Sequence, residues 1–68
     1  MDSEVRRNIK QNFKEDSVDI LVKSVEESVN NENEILLPGL GVFFEILWNN
    51  SSNLEKTNYC QIIKNNMK

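Results

Sequence analysis

Cys60 is the only thiol in the chain, and no histidine accompanies it. One cysteine closes no internal disulfide and supplies no zinc half-site, and without an imidazole it lacks the usual base that would make it a nucleophile. It reads as a structural cysteine, buried or half-buried. The absence of histidine also removes the commonest general base, the commonest metal ligand and the side chain that titrates near neutral pH. The remaining carboxylates come close together at Glu26-Glu27 and at Asp16-x-x-Asp19. Neither set has the dense oxygen spacing of a calcium loop, so both read as solvated helix faces. Gly39-x-Gly41 lacks the third glycine of a dinucleotide fingerprint and the Lys-Ser/Thr of a phosphate loop, which leaves a backbone turn as its reading. No cofactor or metal is expected.

Two further groups could bind rather than catalyse. Arg6, Arg7, Lys10 and Lys14 fall within fourteen residues, enough for weak contact with an acidic partner or phosphate, and equally suited to solubilising one face of a helix. Of these, Arg6, Arg7 and Lys10 are the candidate partner contacts. Phe43, Phe44 and Trp48 have the chemistry to stack on bases, but their neighbours are apolar and no Lys or Arg is interleaved, so they read as core.

Helices must position these groups. Val5, Ile9 and Phe13 recur every four residues and predict a first helix from Asp2 to Lys14, capped by Asp2 or Ser3. Val18, Leu21, Val22, Val25 and Val29 predict a second, capped by Asp16 or Ser17 and ended by the polar cluster Asn30 to Asn33. Its four valines lower intrinsic propensity, so this helix needs packing to persist. Ser52-x-x-Glu55 fits a capping box and predicts a last helix with Leu54, Tyr59, Ile62, Ile63 and Met67 inward and Lys64 and Lys68 at its end.

Between them, residues 35–48 hold ten large apolar side chains in fourteen. A run this short, broken by Pro38, Gly39 and Gly41, cannot cross a hydrocarbon layer of about 30 Å. Leu37-Pro38-Gly39 reads as a turn. From Leu40 to Asn50 a helix would align Leu40, Phe43, Phe44, Leu47 and Trp48 with Glu45 opposite; as a strand, the alternation breaks at Phe43-Phe44 and at Ile46-Leu47-Trp48. The helix fits better. The expected fold is all-α: a single domain over residues 1–68, a small bundle of about four short helices around a buried LLPGLGVFFEILW segment.

Sixty-eight residues leave no room for a second catalytic domain. A core of this size supplies only about 3 to 5 kcal/mol, so marginal stability or self-association is expected. Net charge is −3, unevenly spread: residues 1–14 carry +2, residues 15–55 carry −8 and residues 56–68 carry +3. With a pI near 4.8 this balance argues against duplex DNA as the main partner. The charged start Met-Asp-Ser-Glu-Val-Arg-Arg is unlike a signal peptide, so the chain is expected to stay in the compartment where it is made.

The run Leu36-Leu37-Pro38-Gly39-Leu40-Gly41-Val42-Phe43-Phe44-Glu45-Ile46-Leu47-Trp48 closely resembles the signature of the small acid-soluble spore protein I family, minor proteins of the dormant spores of endospore-forming bacteria. The likeness extends over essentially the whole chain: its length, the early Arg6 with Ile9 three further on, a second helix ending just before the signature, and a lysine-containing last helix. Phe43, where leucine is common, and the asparagines near Asn30 to Asn33 depart from the pattern. Leu37, Pro38, Gly39, Leu40, Gly41, Phe44, Glu45 and Trp48 carry the resemblance as structural residues. It implies a protein made in the forespore during sporulation and stored in the spore core, without enzymatic activity. Separately from the resemblance, the expected partner is an unknown protein or a second copy. An alternative is an architectural DNA-binding role: Val29 to Phe43 is similar to the region of histone-like HU proteins where the helical half meets a Gly-Phe-Gly strand. The basic arm and Arg-Asn-Pro tip that would enter a minor groove are missing.

Overall fold

The computed structural model describes residues 3–31 and 34–67. Among them the chain forms four α-helices and no strand: α1 (Ser3–Phe13), α2 (Val18–Asn30), α3 (Leu37–Asn49) and α4 (Asn53–Asn65), with a single 3-10 turn, Glu34–Leu36, leading into α3. Asp2, Glu32, Asn33 and Lys68, invoked above as a cap, helix-ending residues and a terminal cation, lie outside the described residues.

Local chemistry sets the starts of α2 and α4. Ser17 caps α2, its Oγ accepting from the Ile20 N–H at 3.3 Å. At α4 the full capping box is present: Glu55 N–H donates to Ser52 Oγ at 3.1 Å, and Ser52 N–H donates to the Glu55 carboxylate at 2.8 Å. Those two bonds satisfy amides that would otherwise have no acceptor.

Pro38 does something different from what its sequence context suggests. Leu37-Pro38-Gly39 is the first turn of α3 rather than a turn preceding it. First-turn amides have no acceptor within the helix, so proline loses nothing there and its fixed φ suits the helix. Gly39 and Gly41 are likewise inside α3, both with negative φ, so neither serves a turn.

α3 is the hub, with α1 and α2 both lying against it. The α1 stripe Val5, Ile9 and Phe13 is half-buried. Ile9 Cδ1 comes within 3.5 Å of where a Cβ on Gly39 would stand, and Phe13 meets Phe43 edge to face, centroids 5.2 Å apart at 82°. Such a pair adds about 1 kcal/mol to simple burial.

Burial within the signature differs from expectation. Val42 is fully buried at 0% exposure, whereas Phe44 is 42% exposed, and Leu37, Ile46 and Leu47 are exposed as well. Of the expected stripe, Leu40, Phe43 and Trp48 are half-buried while Phe44 and Leu47 are exposed, and Val42 and Glu45, outside that stripe, turn inward. A helix that is apolar nearly all round does not declare which side its neighbours will cover.

Peripheral helices depart in the same way. On α2 the half-buried positions are Leu21, Ser24, Val25 and Ser28, while Val18, Val22 and Val29 stay exposed at 75%, 58% and 65%. On α4 Tyr59 is half-buried as expected, but Leu54, Ile62 and Ile63 are exposed, as is Met67, which lies beyond the end of α4. α4 is held mainly at its start. Tyr59 and Ser51 share a hydroxyl–hydroxyl hydrogen bond at 3.0 Å, and Lys56 Nζ sits 5.3 Å from the centre of the Trp48 ring. The radius of gyration is 13.0 Å, against about 11 Å for a compact chain of this length.

Candidate functional site

Among the described residues no side chains converge as a catalytic centre would. Cys60, expected to be buried or half-buried, is exposed on α4, in an open concavity that it lines with Phe44, Trp48 and Ile63. Among the described residues no three of Cys, Asp and Glu come together as metal ligands. Glu26 and Glu27 line an open surface with Asn30 and Asn31.

Charge is organised at the seam between α1 and α3. Arg6 of α1 grips Glu45 of α3 with two hydrogen bonds, Nε to Oε2 at 2.7 Å and Nη2 to Oε1 at 2.9 Å. Both residues are half-buried. The Arg6 hydrogen bonds hold the Glu45 carboxyl below its ordinary value of 4.5; desolvation opposes this, and the charges of Arg6 and Lys10 add to it. Glu55 is also lowered, by the Ser52 backbone amide and then by its side chain, against some desolvation. Both shifts arise from structural pairs.

Sequence reasoning placed Arg6 among contacts for a partner and Glu45 on a helix face of its own. The structure joins them across 39 residues. One signal pointed there: Glu45 is the only charge in fourteen otherwise mostly apolar residues, and a carboxylate in such a place needs a partner. Arg7 and Lys10 are exposed on α1 and, with Arg6, Gln11 and Lys14, border a shallow basic depression.

The signature residues fall into distinct roles. Pro38 opens α3, Gly39 lies beside Ile9, Glu45 receives Arg6, and Leu40 and Gly41 are half-buried. Trp48 is half-buried between Lys56 and the tilted ring of Phe44, 5.7 Å away. Leu37 and Phe44 face outward.

One concave surface is apolar. An open groove of about 420 Å³ runs between α1, α2 and α3, floored by Phe13, Leu21, Val25, Phe43, Ile46 and Leu47, with Lys10 and Lys14 on its α1 rim. Apart from those two lysines its lining is apolar. It can bury apolar side chains beside a basic edge.

Residues 37–49, which include the part similar to the strand of HU-like proteins, are helical. No helix among the described residues is long and apolar enough to cross a membrane.

Comparison with known proteins gives a consistent result. The chain is 31% identical to small, acid-soluble spore protein I of Bacillus velezensis over 68 residues, covering 100% of this chain and 96% of that protein. It is 28% identical to the protein of the same name from Bacillus subtilis, covering 100% and 96%. With that of Bacillus mycoides it shares 34% identity over 56 residues, covering 82% and 81%. No solved structure matches the chain. The family profile for small, acid-soluble spore protein I matches residues 3–67, and with nearly every residue accounted for, from α1 through the signature to the end of α4, the chain belongs to that family of sporulation proteins.

Proposed function

We propose that this spore protein is a non-enzymatic constituent of the spore core, made in the forespore, that acts through contacts with protein rather than by catalysis or by coating DNA. The observation that carries this reading is where its perturbed groups and its concavity lie. Catalytic sites gather shifted titratable groups in a cleft. Here the two lowered carboxylates, Glu45 and Glu55, are explained by Arg6 and by the Ser52 cap, and the groove is lined by Phe13, Leu47 and other apolar side chains.

Charge supports protein over DNA. Arg6, one of the four cations in residues 1–14, is engaged by Glu45, and residues 15–55 carry −8. Binding to a duplex would then rest on a few exposed lysines and Arg7, and would fade as salt displaces the benefit of counterion release.

The test is affinity capture from spore extracts, with and without nuclease, paired with a duplex anisotropy titration. Partners retained after nuclease, with no duplex binding at physiological salt, are expected. Partners lost on nuclease treatment, or tight duplex binding weakened by Arg6→Ala with Arg7→Ala, would favour the DNA role instead.

A further inference from the structure

The chain leaves far more surface open than its mass requires. Its accessible surface is 5889 Å², whereas a folded monomer of 7.9 kDa exposes about 4,400 Å². The excess, roughly 1,500 Å², is larger than the ~800 Å² each partner buries in a standard interface. Much of the apolar part is contiguous. The groove floor reaches α2 at Leu21 and Val25, and immediately beyond it on α2 stands a ridge of Val18, Val22 and Val29.

Together with Val25, those valines sit at positions 18, 22, 25 and 29, the four-three-four spacing of a seam between two helices. Only Val25 is turned toward this chain's own core. At 100° per residue, Asp19 and Glu26 lie on the flank of the ridge away from the groove. Across the interface-forming surface the order is therefore basic rim (Lys10, Lys14), groove, ridge, acidic flank.

That order is self-complementary. Turned by a two-fold axis, a second copy presents its ridge to this groove and its acidic flank to this basic rim, and receives the same in return. We propose that the chain forms a two-fold homodimer in which the Val18, Val22 and Val29 ridge of each copy fills the Phe13–Leu47 groove of the other, with Asp19 and Glu26 meeting Lys10 and Lys14 across it. The dimer goes beyond the spore reading and does not depend on it, since it stands on the area, the groove and the charge order alone.

Sedimentation of the full chain under reducing conditions tests it. The wild type should move from 7.9 kDa toward twice that mass as concentration rises. Val22→Glu, at an exposed position, should weaken the dimer by about tenfold or more while helical circular dichroism at high dilution is unchanged. A charge exchange provides an independent check. Chains carrying Lys10→Glu with Lys14→Glu, or Asp19→Lys with Glu26→Lys, should each associate poorly alone, and a mixture of the two should pair as a heterodimer. A wild type that stays at 7.9 kDa throughout overturns the proposal. So does a dimer indifferent to Val22→Glu, or a mixture that fails to pair. None of those outcomes would bear on spore location or on protein partners captured after nuclease.

Discussion

Arg6 and Glu45 lock α1 to α3 through a two-pronged ion pair, with donor–acceptor distances of 2.7 and 2.9 Å, across the seam that also holds Ile9 against Gly39 and Phe13 against Phe43. Glu45 faces α1, Val42 three residues earlier is fully buried, and Phe44 next to Glu45 is 42% exposed.

A pH dependence follows. The folded pKa of Glu45 is depressed, so its contribution to stability is fully present above the ordinary 4.5 and is lost as pH falls through the lower folded value. Glu55 acts in the same sense through Ser52. Arg6→Gln should lower the melting temperature at neutral pH, and the gap from wild type should close in acid. A gap that stays constant across this range would show that Arg6 acts through packing alone.

Val42 and Phe44 should rank opposite to their sizes per atom removed. Val42→Ala removes two fully buried methyl groups and should cost about 2 kcal/mol, a large share of the stability of so small a chain. Phe44→Ala should cost less than the ~3 to 5 kcal/mol of a core phenylalanine, because the ring is 42% exposed. Urea denaturation of both variants measures this; a Phe44→Ala loss at the full core value would place that ring inside.

These burial patterns explain what could be read in advance. Ser17 and the Ser52–Glu55 box were legible because a cap is decided within four residues. Pro38 was not, since the same residue favours a turn and the first turn of a helix, and only the packing of α3 decides between them. The all-helical fold and its four elements followed from apolar spacing, but the inward side of α3 did not, because apolar residues surround it. Nor did the Arg6–Glu45 pair, whose members are 39 positions apart and joined only by the packing of α1 on α3. Nor does the exposure of Cys60 follow from its residue type, since it depends on how openly α4 faces Phe44 and Trp48.

Gly39→Ala should stabilise the chain. Gly39 is helical with negative φ, and an added Cβ would meet Ile9 Cδ1 at 3.5 Å, an ordinary contact distance. Replacing a helical glycine under those conditions contributes about 0.5 to 1 kcal/mol, chiefly by restricting the unfolded chain. A fall in melting temperature would mean that α1 and α3 approach more closely than this.

Ser52→Ala should cost about 1 kcal/mol by removing the cap of α4. The loss should be local as well as global: amide exchange in the first turn, residues 53–56, should quicken more than exchange in α3. Equal acceleration in both helices would indicate that α4 and α3 open as one unit.

The spore assignment is tested most directly by following the protein itself through sporulation, with antibody detection in vegetative cells and in the separated coat and core fractions of dormant spores. It should be absent from vegetative cells, appear in the forespore and be recovered from the core. Equal amounts in vegetative cells, or recovery from the coat alone, would contradict the account.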